Sequence, residues 1–162
     1  MGAGKTSVGR ALSRQLGWSF EDLDDRVQTR EGRSIETIFQ ESGEAGFRQA
    51  EHKALRELIS ELSDSPQIVA LGGGAFVQPD NAVLLGDLGI KTVFLDGSVE
   101  ELFRRCQEQN LERPLRKSAE NFRTLYEKRR PHYLKASLRI ETQGKSVDAI
   151  AQEVATALRL GA

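Results

Sequence analysis

The first six residues of the chain, Met-Gly-Ala-Gly-Lys-Thr, match the second half of the phosphate-binding pattern G-x-x-x-x-G-K-[ST]. Glycines in such a loop let successive backbone N–H groups surround phosphate oxygens. In this pattern Lys5 reaches the β- and γ-phosphates of a nucleotide and the hydroxyl of Thr6 binds Mg²⁺. A chance Gly-Lys-Thr in a flexible start is the alternative. The candidate residues of a nucleoside triphosphate site are Gly2, Ala3, Gly4, Lys5, Thr6 and Ser7.

Two carboxylates, Asp22 and Asp24, stand one residue apart at the end of a predicted strand over residues 19–22. Alternate side chains of an extended backbone share a face, so both are expected to point into the same crevice. There they can help to hold Mg²⁺ and accept a proton from a hydroxyl nucleophile. A solvated acidic turn is the alternative, which the preceding phosphate loop disfavours.

Three consecutive glycines, Gly72, Gly73 and Gly74, directly follow the apolar run at residues 68–71. A tight turn from strand to helix normally needs one glycine. Three glycines predict that the backbone comes close to a small ligand or a phosphate, because no Cβ blocks the approach.

Arginines supply the cations that an acidic or phosphorylated substrate requires, since a guanidinium forms paired hydrogen bonds with a carboxylate or a phosphate. Arg48 lies near the start of a predicted helix, Arg113 in a polar loop, and Arg129 just before a proline. An arginine in a loop can also cover the charge of a phosphoryl group in transfer. Ordinary surface charge is the alternative, and no spacing rule selects Arg48 or Arg129.

The composition indicates one compact domain with a core of its own. The chain has 162 residues, with 23 Lys and Arg against 24 Asp and Glu, and a net charge of −1. This balance gives no reason to expect binding to nucleic acid or to an anionic membrane, and no apolar run is long enough to span a bilayer. The single cysteine, Cys106, fits a reducing compartment, so we expect a cytoplasmic protein. We also expect it to be a monomer.

Helix and strand patterns alternate, which predicts an α/β fold whose parallel sheet is flanked by helices in three layers. In such folds ligands bind at the carboxyl ends of the strands, where the carboxylate pair and the glycine run both lie. The polar stretch 110–118 is predicted to be a mobile surface loop. The predicted strands are residues 19–22, 68–71, 91–95 and 138–141. The predicted helices are residues 5–16, 25–30, 34–42, 44–62, 81–88, 98–109, 119–134 and 146–160.

Taken together and in this order, the motifs resemble those of the shikimate kinase family, a group of phosphate-loop enzymes related to nucleoside monophosphate kinases. The similarity runs nearly end to end, which makes it specific although each motif alone is weak. Besides the phosphate loop, it is carried by Asp22-x-Asp24, Gly32-Arg33-Ser34-Ile35, Ile38-Phe39, Gly43-Glu44, Phe47-Arg48-x-x-Glu51, Gly72-Gly73-Gly74-Ala75, Arg113-Pro114-Leu115 and Arg129-x-Pro131-x-Tyr133.

For the nucleotide, the resemblance implies that Lys5 contacts the ATP phosphates and that Thr6 and Asp22 hold Mg²⁺. Arg113 would close over the phosphates as part of a lid at approximately residues 110–118. Arg105 is similar to the arginine that lies near adenine, although its interval to Arg113 is one residue longer than the family pattern.

For the acceptor, the resemblance implies that Asp24 binds the shikimate hydroxyls and serves as catalytic base. Arg48 and Arg129 would hold the shikimate carboxylate, and Gly72, Gly73 and Gly74 would approach the substrate through their backbone. The implied reaction transfers the γ-phosphate of ATP to the 3-hydroxyl of shikimate, giving shikimate 3-phosphate and ADP on the route to chorismate and aromatic amino acids. A related small-molecule kinase, of the gluconate or nucleotide kinase type, is one alternative.

The family fold is a five-stranded parallel sheet in the order 2-3-1-4-5, whose first strand and first loop glycine are absent from this chain. That glycine would stand two positions before Met1, and we expect the native protein to begin upstream. The alternative is a true truncation, with a non-catalytic or weakly active protein as its consequence. The mass of the endogenous protein distinguishes the two.

Overall fold

A computed structural model describes residues 2–62, 65–108 and 118–161 of the chain. Within them, strands and helices alternate as the sequence predicts. The strands are β1 (Ser19–Asp22), β2 (Gln67–Ala70), β3 (Val93–Asp96) and β4 (Leu138–Glu141). The helices are α1 (Lys5–Leu16), α2 (Leu23–Glu31), α3 (Ile35–Ser60), α4 (Pro79–Asp87), α5 (Val99–Glu108), α6 (Ala119–Tyr133) and α7 (Val147–Ala157).

Local sequence signals explain where these helices begin and end. The hydroxyls of Ser34, Ser118 and Ser146 each accept a hydrogen bond from the N–H three residues later, at the starts of α3, α6 and α7. Such caps satisfy backbone donors that have no partner inside the helix. Helix α1 ends at Leu16, as predicted, and Gly17 follows it in the left-handed conformation. Helix α3 is broken at Gly43, so the two helices predicted on either side of that residue are both present.

Several element boundaries differ by a few residues from the prediction. Strands β1 and β4 have the predicted bounds, whereas β2 lies one residue earlier than predicted and β3 begins two residues later. Helix α4 begins at Pro79 instead of Asn81. A proline is well suited to the first turn of a helix, because its missing N–H would have no helical partner there.

All strand pairing is parallel and falls into two separate pairs. Strand β1 runs beside β2 from the partners Ser19 and Gln67 onwards, and β3 runs beside β4 from Val93 and Leu138 onwards. Within the described residues, no hydrogen-bonded ladder joins β2 to β3. The implied family order without its first strand leaves these same two pairs.

An apolar cavity of about 390 Å³ lies between the inner strands β2 and β3. Ile68 and Ala70 line it from β2, and Phe94 and Leu95 from β3. It extends to Lys5 at the start of α1. Two clusters of buried side chains flank the cavity, one centred on α1, α5, α6 and α7 and the other on α2 and α3.

Candidate active site

The phosphate loop has the backbone geometry that its glycines predict. Gly4 is the residue before α1 and has a φ of 77° and a ψ of 25°, in the left-handed region that glycine enters without a Cβ penalty. Gly4 has no side chain that could cap the start of α1. The first backbone N–H groups of α1, which begin at Lys5, are therefore directed to the space beyond the helix, where the dipole favours an anion.

Thr6 and Asp22 meet beside this loop. The Thr6 hydroxyl donates to Oδ2 of Asp22 at 2.9 Å. The other carboxylate oxygen, Oδ1, accepts the backbone N–H of Asp24 at 3.0 Å and caps α2. A hydroxyl and a carboxylate at the edge of a phosphate site are the oxygen ligands that Mg²⁺ uses together with nucleotide phosphates. These two side chains therefore fit the ion that the sequence predicts.

The expectation that Asp24 continues the extended strand is wrong. Strand β1 ends at Asp22 and α2 begins at Leu23, because the Asp22 carboxylate serves as the helix cap. The two aspartates consequently face different neighbours. Asp22 contacts Thr6, whereas Asp24 approaches the glycine run: a Cβ built on Gly72 would lie 3.0 Å from Oδ1 of Asp24.

The glycine run makes room for protein side chains. A Cβ on Gly72 would also lie 3.3 Å from Oε2 of Glu51, and a Cβ on Gly74 would overlap the guanidinium of Arg48. The backbone after β2 therefore lies directly against Asp24, Glu51 and Arg48. A side chain at position 74 would displace the Arg48 guanidinium, and one at position 72 would be in tight contact with Asp24 and Glu51.

Arg48 and Glu51 form a buried ion pair with spare hydrogen-bonding capacity. Nη1 of Arg48 donates to Oε1 of Glu51 at 2.8 Å, and the Glu51 side chain is only 1% exposed. Within the described part of the chain, Nε of Arg48 and Oε2 of Glu51 are buried without a hydrogen-bond partner. Burial raises the pKa of Glu51, the charge of Arg48 opposes that increase, and Asp24 adds to it.

Sequence reasoning did not assign a role to Glu51, although the residue belongs to the motif around Arg48. A buried glutamate three residues after an arginine on one helix face was the available signal. The pair orients the guanidinium of Arg48, whose side chain remains 15% exposed.

Helix α6 brings Arg129 and Tyr133 to the same region. The positive charge of Arg129 lowers the pKa of Glu51, so the two groups are within electrostatic range. The Tyr133 hydroxyl donates to the backbone carbonyl of Gly73. The tyrosine was part of the sequence motif, but its hydrogen bond to the glycine run was not predicted.

Arg105 lies above the phosphate loop. Its guanidinium pairs with Glu101, and its Nη1 is 3.8 Å from the position of a Cβ on Gly4. Its predicted contact with adenine stays a prediction. Arg113 and the lid residues 110–117 lie outside the described residues. The described residues contain no cluster of three or more His, Cys, Asp or Glu side chains suited to a metal.

Comparison with known proteins decides the family. The family model described as "Shikimate kinase" matches residues 1–159. The chain belongs to the shikimate kinase family. A shikimate kinase of Geobacter sulfurreducens is 43% identical over 162 residues, which cover 98% of this chain and 87% of the relative. One from Persephonella marina is 35% identical over 160 residues, covering 98% and 94%.

Solved structures of the shikimate kinase family share the fold. The shikimate kinase of Acinetobacter baumannii in complex with shikimate has a TM-score of 0.89 and 35% identity, covering 98% of this chain and 88% of that one. The shikimate kinase of Aquifex aeolicus has a TM-score of 0.82 and 31% identity, covering 98% and 91%. The predicted family and the phosphate-loop kinase fold are confirmed, and the family is one of ATP-dependent kinases.

Across residues 2–62, 65–108 and 118–161, each helix is too short or too polar to cross a bilayer.

Proposed function

We propose that this chain transfers the γ-phosphate of ATP to the 3-hydroxyl of shikimate, producing shikimate 3-phosphate and ADP for aromatic amino acid synthesis. The observation that carries the proposal is the guanidinium of Arg48, which Glu51 orients against the same glycine run that Asp24 approaches. A hydroxylated ring acid needs a guanidinium for its carboxylate and a carboxylate for its hydroxyls. This cluster contains both.

The phosphate side of the reaction falls to the loop. The N–H groups at the start of α1 and the ammonium of Lys5 hold the phosphates and compensate their charge. Thr6 and Asp22 would hold Mg²⁺, which would neutralise part of the phosphate charge when bound. Phosphoryl transfer needs little more from a protein than positioning and electrostatic stabilisation, so these groups account for most of the rate.

On the acceptor side, Asp24 binds the ring hydroxyls and receives the proton of the attacking hydroxyl. Arg48 and Arg129 hold the acid group from two sides. We further propose that Arg113 covers the phosphates from the lid and that Arg105 contacts the nucleotide. A cytoplasmic monomer with no nucleic acid or membrane partner completes the proposal.

A panel of acceptors tests this function. The purified protein is supplied with ATP and Mg²⁺, and ADP formation is measured with shikimate, gluconate and nucleoside monophosphates in parallel. We expect ADP formation only with shikimate, with shikimate 3-phosphate identified as the product. Turnover with gluconate or a nucleotide instead would contradict the proposed substrate.

A non-catalytic, ATP-binding protein is the second candidate function. Calorimetry with a non-hydrolysable ATP analogue separates the two functions. Analogue binding without turnover of any acceptor would support the second candidate.

A further inference from the structure

The carboxylate of Asp96, the last residue of β3, has several donors although its side chain is only 8% exposed. The Tyr126 hydroxyl donates to Oδ1 at 2.8 Å. Arg130 donates Nη2 to Oδ2 at 2.9 Å, and Arg139 donates Nε to the same oxygen at 2.7 Å. Tyr126 and Arg130 are one turn apart on α6, whereas Arg139 lies on β4. Asp96 therefore fastens α6 and β4 to the carboxyl end of β3.

The same helix contributes to the acid site on its other side. Arg129 precedes Arg130 and acts electrostatically on Glu51, and Tyr133 donates to the carbonyl of Gly73. Helix α6 thus extends from the β3–β4 pair to the glycine run after β2. Its placement decides where the guanidinium of Arg129 stands relative to Arg48.

The final turn of α6 depends on such contacts with other elements. Pro131 lies inside the helix and has no N–H, so the carbonyl of Glu127 loses its helical partner. Arg129, Arg130 and Tyr133 all lie within two residues of this weakened point. Arg130, before Pro131, donates to Asp96, and Tyr133, after it, donates to the carbonyl of Gly73. These two hydrogen bonds hold the last turn of α6, which has lost one hydrogen bond of its own.

We propose that Asp96 is a positioning residue, which holds α6 so that Arg129 meets the carboxylate of the acid substrate. This inference rests on the proposed function for its substrate, and it adds a residue that does not touch the substrate. Asp96 acts on acid binding and leaves nucleotide binding unaffected, because its partners Tyr126 and Arg130 belong to the helix that carries Arg129 and not to the phosphate loop.

Steady-state kinetics of Asp96→Asn test this role. The substitution keeps the size of the side chain but removes the charge that holds Arg130 and Arg139. We expect the KM for shikimate to rise about tenfold, as for loss of a charge-assisted hydrogen bond. The KM for ATP is expected to stay within about twofold of the parent value. Equal increases in both constants would overturn the proposal.

Arg123→Gln is the matched control, because it removes another ion pair of the same helix. Arg123 pairs with Glu100 on α5, and both side chains are exposed, at 52% and 70%. We expect both KM values of this variant to stay at the parent level. A shikimate KM that rises as much as in Asp96→Asn would show that any weakening of α6 suffices, which would overturn a specific role for Asp96.

A double-variant cycle asks whether Asp96 acts through Arg129. In an Arg129→Ala background, Asp96→Asn is expected to change the shikimate KM by less than about twofold, because the guanidinium that Asp96 positions is already absent. An undiminished tenfold effect in that background would contradict the proposal.

Hydrogen exchange separates this inference from the proposed function. In the substrate-free protein, Asp96→Asn should speed amide exchange at residues 127–134 several-fold relative to Arg123→Gln. Unchanged exchange there would overturn the positioning role whatever acceptor the enzyme uses. Faster exchange in a protein that does not phosphorylate shikimate would refute the proposed substrate alone.

Discussion

Two buried carboxylates, Glu51 and Asp96, face arginines at the two halves of the sheet, and they differ in how completely they are hydrogen-bonded. Asp96 receives hydrogen bonds from three side chains. Glu51 has one hydrogen bond from Arg48 and a second oxygen with no partner among the described residues. Burial would raise the pKa of both groups. The donors around Asp96 outweigh that effect and lower its pKa, whereas Glu51 keeps a raised pKa.

This difference in hydrogen bonding distinguishes a cluster that supports the fold, around Asp96, from one that serves binding, around Glu51. A buried polar atom without a partner costs about 1–3 kcal/mol, so a region that serves folding alone would gain from completing its hydrogen bonds. The Asp96 cluster is completed in this way. The Arg48–Glu51 pair is not completed, and its guanidinium lies against the glycine run that Asp24 also approaches.

The largest expected effect is on turnover, in the incompletely bonded cluster. Asp24→Asn should lower kcat with shikimate by about 10²–10⁴-fold, because the amide cannot accept the proton of the attacking hydroxyl. ATP affinity should stay near the parent value, since Asp24 faces the glycine run. Turnover of the variant close to that of the parent would show that Asp24 is not the base.

A stability difference between the two carboxylates is the next largest effect. Asp96→Asn should lower the free energy of unfolding by about 1–2 kcal/mol. Loss of a fully buried ion pair would cost more, but the side chains of Arg130 and Arg139 are 37% and 46% exposed. Glu51→Gln should stay within about 1 kcal/mol of the parent, since burial already disfavours its charge. Urea unfolding measures both values.

Equal losses in the two variants would remove the distinction drawn between the clusters. A change in the slope of the unfolding curve, in either variant, would indicate an altered denatured or native ensemble and not a change in the pair itself.

The smallest expected effect is an opposite pH dependence. Asp96 has a folded pKa below its ordinary 3.8, so its contribution to stability is present above that value and is lost as the pH falls below it. Glu51 has a folded pKa above its ordinary 4.5, so stability falls as the pH rises from 4.5 through the raised pKa.

Unfolding free energies measured from about pH 3 to about pH 7 test these signs. The loss of stability in acid should be smaller in Asp96→Asn than in the parent. The loss of stability as the pH rises should be smaller in Glu51→Gln than in the parent. Profiles of both variants parallel to that of the parent would contradict the two pKa directions.

The sequence predicted the fold where a pattern is local. Strands β1 and β4, the helix stop at Gly17 and the break at Gly43 follow from alternation and glycine geometry, and the structure agrees with them. The expectation of extended backbone through Asp24 was wrong, because strand continuation and helix capping compete at Asp22. The capping hydrogen bond depends on a side-chain rotamer that periodicity does not reveal.

The sequence could not reveal contacts between distant elements. Asp96 lies 30 residues from Tyr126 and 43 from Arg139, and no spacing rule joins them. The glycine run was predicted to approach a ligand, but the sequence did not show that its close neighbours are Asp24 of α2 and Arg48 and Glu51 of α3. Only the folded arrangement shows which guanidinium is satisfied and which is not.

Calorimetric binding of shikimate to the parent and to Arg48→Lys tests the central claim most directly. The lysine keeps a positive charge beside Glu51 but lacks the planar pair of donors. We predict that the parent binds one shikimate, that Arg48→Lys binds it about 10–100-fold more weakly, and that the exposed-pair control Arg123→Gln binds as the parent does. Undiminished binding by Arg48→Lys would contradict the assignment of the incompletely bonded cluster as the acid site.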